Sequence, residues 1–189
     1  MQRKNSRFII SLAALASIAA CSNDQPAAES AHAPTTVSEP TVPAIRAPLR
    51  LVATPTALTD GSPILLGDGG MVRNQVTSAE GGTLAAIGVQ VGNYGGSDGV
   101  LAIKICKELI CSEATTQIAK AADNGHLIAN LDTPIEISAN DTLQVSIGRR
   151  GGQKPFALWR YSANAGQEIT LPDSSVVPGT LSFKLGFSN

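Results

Sequence analysis

Strict alternation of apolar and polar residues is the feature that most limits how this chain can fold. It is clearest over 142–147, where Leu143, Val145 and Ile147 alternate with polar residues. Successive side chains of a β-strand point to opposite faces, so this pattern gives a strand one apolar face. Similar or shorter segments that predict strands lie at 49–53, 74–78, 87–91, 101–105, 111–118, 127–131, 155–161 and 181–187. The chain is therefore expected to form many short strands that each bury one face.

Turn residues separate these segments. All 18 Gly occur from Gly61 onward, and the stretch 113–123 is the only one with some helical character. Its adjacent Thr115 and Thr116 favour a strand that runs into a loop. Short strands with turns every 8 to 12 residues or so predict an all-β fold, namely an antiparallel β-sandwich over 49–189. The turn sequences lie at 81–82, 95–99, 123–125, 140–141 and 151–152.

The first 20 residues have the composition of an export signal. Three basic residues open the segment, and 8–20 is apolar apart from two serines. Such a stretch is too short to span a bilayer as a helix, which takes about 20 residues. A basic start, a short apolar core and small residues predict a secretory signal peptide over 1–20. A buried helix or a short membrane anchor stays open as the alternative.

The end of this segment, Ile18-Ala19-Ala20-Cys21, resembles the bacterial lipobox. In that family the Cys thiol is diacylglycerylated, the signal is cleaved before it, and the new amine is acylated. The resemblance implies that Cys21 is the lipidated first residue of the mature chain, so the membrane is an expected partner. Because Ser22 rather than Asp follows, it also implies the outer membrane rather than the inner one.

Residues 21–48 join the predicted lipid site to the predicted domain. From 22 to 48 the chain has five Pro, no Gly and no aromatic residue. This composition cannot bury a core and predicts a disordered, semi-extended tether. Removing the three basic residues of the signal from 14 leaves 11 against 15 acidic residues, a formal charge of −4. The net charge of −1 for the whole chain argues against nucleic acid as a partner, which would need a basic excess.

The two remaining cysteines, Cys106 and Cys111, lie at the end of one predicted strand and the start of the next. A four-residue loop between them places them opposite each other, at a Cα separation close to that of a disulfide. The oxidising environment of an exported protein favours the bond. Since no His or further Cys lies beside them, a metal site is the weaker alternative. The sequence predicts a disulfide, and neither a metal nor a cofactor.

One motif suggests catalysis. The stretch 95–99, Gly-Gly-Ser-Asp-Gly, matches the G-x-S-x-G nucleophile elbow, and Asp123 and His126 follow Ser97 in the chain order of a hydrolase. That elbow needs a strand-to-helix turn, whereas a strand-like segment follows here, and Gly and Asp also suit a plain turn. His126 alternates with Leu127, which points it away from the core. An envelope hydrolase is therefore a remote alternative, and no catalytic residue is assigned.

Aromatic residues are few and crowded, since five of the six after the signal follow residue 155. Alternation over 156–161 places Trp159 and Tyr161 on one face, and Phe156 and Leu158 partly on the other. Sugar rings stack on exposed aromatic side chains beside polar groups, whereas a large aromatic such as Trp159 often anchors a core. Both interpretations of Trp159 stay open. The candidate ligand-binding residues are Tyr94, Trp159, Arg160 and Tyr161.

The stretch 84–159 carries a series of short motifs in order. They read L-x₂-I-x-V-x₂-G-N-Y, G-V-L-x-I-x-I, A-D-N-G-H-L, T-P-I-E-I, D-T-L-x-V-x-I and A-L-W. This series resembles the galactose-binding-like jelly-roll accessory domains found beside bacterial glycosyltransferases and in surface-polysaccharide proteins. The resemblance covers roughly half the chain and implies a jelly-roll fold. This chain departs from the family by Gly-Gly-Ser after Tyr94, where an Arg often follows, and by its Cys pair, so no sugar contact is carried over.

The expected function is that of a non-catalytic envelope lipoprotein whose β-sandwich binds a glycan or an envelope partner. The lipobox, the tether and the strand pattern together favour it. A structural or interaction subunit of an envelope assembly is the alternative.

Overall fold

The computed structural model of the protein describes residues 48–54, 58–162 and 166–189. The predicted signal peptide, the lipid site at Cys21 and the predicted tether up to residue 47 lie outside the described residues. Two antiparallel sheets, of seven and six strands, enclose one apolar core. The predicted antiparallel β-sandwich is confirmed.

Thirteen strands build the two sheets, and a single 3₁₀ turn (Ile118–Lys120) follows the sixth. All nine predicted strand segments overlap observed strands. The strands are β1 (Arg50–Thr54), β2 (Thr59–Leu65), β3 (Met71–Thr77), β4 (Gly82–Gly92), β5 (Val100–Lys107), β6 (Ile110–Gln117), β7 (His126–Ile137), β8 (Thr142–Arg150), β9 (Ala157–Ser162), β10 (Glu168–Thr170), β11 (Val176–Pro178), β12 (Thr180–Leu181) and β13 (Phe183–Ser188).

The long strand β4 organises the first sheet. It pairs with β13, with β7 and, at its last two residues, with β9. Strand β1 lies beyond β13, and both β2 and β12 pair with β9. The second sheet runs in the order β11-β10-β3-β8-β5-β6. In β8, Leu143, Val145 and Ile147 face inward and are buried, as the alternation predicts. The core lies between these inward faces and includes Phe156, Phe183 and Phe187.

Polar contacts join the turns at one end of the sandwich, which we call the Lys107 end. Lys107 Nζ lies 2.7 Å from Asp141 Oδ2, and the Asp141 carbonyl accepts a hydrogen bond from the Ser78 N–H. Arg50, the first residue of β1, forms an ion pair with Glu80. The described chain therefore begins at this end, beside the turns at 78–82, 107–110 and 138–141.

The opposite end, which we call the Arg149 end, is held together by one buried arginine. The Arg149 guanidinium is 3% exposed and donates to the carbonyl oxygens of Leu66 at 2.9 Å, Asp98 at 3.0 Å and Lys154 at 2.8 Å. These three acceptors belong to three different loops. The loops of this end are 66–70, 93–99, 118–125 and 150–156.

Candidate functional site

The six aromatic residues of the predicted mature chain fall into two groups. The three Phe are buried in the core, whereas Tyr94, Trp159 and Tyr161 lie outside it. Tyr94 is 47% exposed, and Trp159 and Tyr161 are half-buried. We call these three residues the aromatic cluster. Trp159 is thus not among the buried residues of the core.

Two glycines bring the members of the aromatic cluster together. A Cβ on Gly92 of β4 would lie 3.4 Å from the Tyr94 ring and 3.5 Å from Trp159 Nε1. A Cβ on Gly61 of β2 would lie 2.9 Å from the Tyr161 ring and 3.5 Å from the Trp159 indole. Trp159 therefore lies between the two tyrosines, on the outer face of β2, β4 and β9. A larger side chain at Gly61 would displace the Tyr161 ring.

The indole N–H of Trp159 has no acceptor. Trp159 Nε1 and Arg149 Nε are the two buried side-chain polar atoms, among those the structure describes, that lack a hydrogen-bond partner. A buried donor without a partner is rare and costs free energy. This N–H and the Tyr94 ring both lie beside Gly92, since a Cβ there would be within 3.5 Å of each.

A row of polar side chains borders the aromatic cluster. The Tyr161 hydroxyl donates to Gln90 Oε1 at 2.7 Å, and Gln90 Nε2 donates to the Asn124 carbonyl at 3.1 Å. His126 pairs with Gln90 across β4 and β7, and its Nε2 lies 3.0 Å from Ser182 Oγ. The outer face of the first sheet thus combines aromatic rings with amide, imidazole and hydroxyl groups.

Burial lowers the pKa of His126, and the neighbouring Lys184 ammonium lowers it further. The folded protein therefore binds a proton at His126 less readily than the unfolded chain, whose His titrates near pH 6.5. Stability from this residue is present above about pH 6.5 and is lost as the pH falls from there towards the folded-state pKa.

We expect urea unfolding at pH 7.5 and pH 5.5 to show this loss in the wild-type protein. The His126→Gln variant keeps a polar side chain but has no group to titrate, so its free energy of unfolding is expected to fall less over the same interval. Equal losses in both proteins would contradict the assignment.

Arg160 is not brought together with the aromatic cluster. Between Trp159 and Tyr161 on β9, its side chain points to the opposite face of the strand, where its Nε donates to Ser62 Oγ at 3.1 Å. The sequence could have predicted this separation, because neighbouring side chains on a strand point to opposite faces.

The G-x-S-x-G motif forms a turn that leads into β5 and not into a helix. Ser97 is 1% exposed, and its hydroxyl donates to the Pro155 carbonyl. The ring of His126 is hydrogen-bonded to Ser182 and not to Ser97. Both side chains of the remote hydrolase alternative are thus engaged with other partners.

Asn93, the residue before Tyr94, fixes the position of their loop through three hydrogen bonds. The Asn93 N–H donates to Asp123 Oδ1 at 2.9 Å, and its side-chain amide donates to the Ala121 carbonyl at 2.6 Å. Its Oδ1 accepts a hydrogen bond from the Ser97 N–H at 2.5 Å. Tyr94 is therefore presented from an ordered loop at the Arg149 end.

Asp98 joins the 93–99 loop to the loop that follows β8. Its Oδ1 accepts hydrogen bonds from the Lys154 N–H at 3.1 Å and the Gln153 N–H at 3.0 Å, and lies 3.4 Å from Arg149 Nη2. The Lys154 N–H is the main reason that the pKa of Asp98 lies below its usual value. Gly152, at φ +88°, passes so close that a Cβ there would overlap the Asp98 carbonyl.

Across residues 48–54, 58–162 and 166–189, no three His, Cys, Asp or Glu side chains form a group that could hold a metal ion. No helix in this described part is long and apolar enough to cross a membrane. No protein-family model matches the chain, and a search of curated proteins finds no match.

Proposed function

We propose that this chain is a lipid-anchored envelope protein whose β-sandwich binds a saccharide at the aromatic cluster. The observation that carries the binding site is the position of Trp159. It lies outside the core between two tyrosines, and its buried indole N–H lacks an acceptor. The anchor is supported by the lipobox at 18–21.

The chemistry of the cluster suits a sugar ring. The apolar face of a sugar packs against an aromatic ring, while its hydroxyls need hydrogen-bonding groups at the rim. Tyr94 offers an exposed ring, and Trp159 adds a half-buried indole. Gln90 and His126 supply polar atoms on the same face.

The position of the cluster suits a tethered protein. The described chain begins at the Lys107 end with Arg50, whereas Tyr94 lies in a loop of the Arg149 end. The sequence predicts a tether of 27 residues at 22–48, and a flexible coil of that length would reach about 30 Å. Tyr94 thus lies at the opposite end of the sandwich from Arg50, the first residue of β1.

We expect Trp159→Ala to weaken saccharide binding about tenfold or more, because a central aromatic contact contributes at least 1 to 2 kcal/mol or so. The wild-type chain is first screened on an array of neutral and acidic envelope oligosaccharides. Calorimetric titration with the saccharide that binds best then compares the variants.

Tyr94→Ala is expected to weaken binding in the same direction. Val176→Ala removes an apolar side chain that is 55% exposed in the second sheet, and is expected to bind as the wild type does. Unchanged affinity in Trp159→Ala would contradict the proposed site, and no binding to any envelope saccharide would contradict the proposed function.

A further inference from the structure

The tip of the β5–β6 hairpin carries two apolar side chains in water. Leu109 is 98% exposed and Ile110 is 61% exposed. Glu108 and Leu109 form a two-residue turn, with Glu108 at φ +52°. Gly, Asn and Asp are the usual residues of such a turn, so local turn chemistry does not explain this sequence. Departures of this kind tend to occur at functional sites.

The tip is held rigidly by the body of the sandwich. Cys106 and Cys111 pair directly across the hairpin, are joined by a disulfide and have a Cα–Cα distance of 4.0 Å. Lys107 then contacts Asp141 in the 138–141 turn. Because the hairpin is ordered in advance, binding through its tip costs little conformational entropy.

The tip lies at the Lys107 end, where the described chain begins. The contacts from Arg50 through Glu80, Ser78 and Asp141 to Lys107 connect the start of β1 with the hairpin. The 47 residues that precede the described part include the predicted lipid site at Cys21. The described chain therefore begins at the same end at which Leu109 projects.

We propose that Leu109 and Ile110 insert into the lipid surface to which the chain is anchored, and so fix the orientation of the sandwich. This inference rests on the anchorage in the proposed function. The tip is a convex point, which fits a deformable lipid surface. Behind the tip, Lys107 forms an ion pair with Asp141, and Lys104 and Glu113 are cross-strand neighbours of opposite charge.

Depth-dependent quenching tests the insertion in the full lipidated chain. The chain is reconstituted in phosphatidylcholine vesicles with brominated acyl chains; this zwitterionic lipid avoids repulsion of Glu108. In a Trp159→Phe background, Leu109→Trp supplies the only indole, and thermal melting verifies its fold. We expect a blue-shifted emission that the bromines quench. Met71→Trp in the same background, at a residue 46% exposed at the Arg149 end, is expected to stay unquenched.

Flotation of the same vesicles separates failure of the inference from failure of the anchor. If the chain floats but Leu109→Trp is quenched no more than Met71→Trp, the insertion is refuted and the anchorage stands. A chain that does not float refutes the anchorage and the insertion with it. A blue shift without vesicles that grows with protein concentration would show that a second copy covers the tip, which also overturns the proposal.

Discussion

The Cys21→Ala variant is expected to carry no lipid at all. If Cys21 is the acylated residue, cells fed labelled palmitate will label the wild-type chain and leave this variant unlabelled. Acyl chains gain about 0.8 kcal/mol per buried CH₂, and several chains together make attachment stable. Removing the only thiol near the predicted cleavage site therefore removes the anchor completely.

Two control variants separate this effect from a general loss of thiols or of the lipobox. Cys106→Ser removes the disulfide with Cys111 but keeps Cys21, so this variant is expected to be labelled as the wild type is. Ser22→Ala keeps the lipidated residue and is also expected to be labelled. Palmitate that persists on Cys21→Ala would refute the anchor at this residue.

Arg149→Ala is expected to lower the free energy of unfolding by about 3 kcal/mol or more. The substitution removes the donors that reach the carbonyl oxygens of Leu66, Asp98 and Lys154. Each buried acceptor left without a donor costs about 1 to 3 kcal/mol. The guanidinium also lies 5.7 Å from the centre of the Phe156 ring, so a contact with the core is lost too.

Urea denaturation measures this loss, and the neighbouring residue provides a matched control. Arg150 is exposed, and Arg150→Ala is expected to change stability by no more than about 0.5 kcal/mol. Arg149→Lys keeps the charge but not the planar set of donors, so it is expected to lose most of the same stability. Equal unfolding midpoints for Arg149→Ala and Arg150→Ala would contradict the role of Arg149.

Alternation predicted most of the fold because most strands have one buried face. It did not predict β2, where Asp60, Gly61 and Pro63 lower strand propensity. That strand is defined by its pairing with β9, which is a long-range contact. The short β10 and β11 are likewise formed by pairing with β3 and with each other. Local sequence cannot supply such partners.

The hairpin turn was also expected in a different form. A four-residue loop was predicted between Cys106 and Cys111, but Lys107 and Ile110 extend the strands and leave a two-residue turn. The sequence Glu108-Leu109 contains none of the residues that mark such turns. The pairing of the two cysteines was predicted because both loop lengths place them opposite each other.

The candidate site was predicted in part. Alternation separated Trp159 and Tyr161 from the buried Leu158, but the position of Tyr94 depends on the fold of a distant loop. Arg149 was missed, although the series Leu143, Val145, Ile147 extends to it with period two. An arginine at the next inward-facing position of such a strand could therefore have been predicted to be buried. Its partners, three loop carbonyls, are visible only in three dimensions.

The central claim is that a saccharide binds against Trp159, and the fluorescence of this residue tests it most directly. The chain has one Trp, so intrinsic indole emission reports on the aromatic cluster alone. In a titration with the saccharide that binds best on the array, we expect a saturable change in emission whose midpoint matches calorimetry and weakens about tenfold in Tyr94→Ala. Calorimetric binding with no change in emission would place the ligand elsewhere and contradict a site at Trp159.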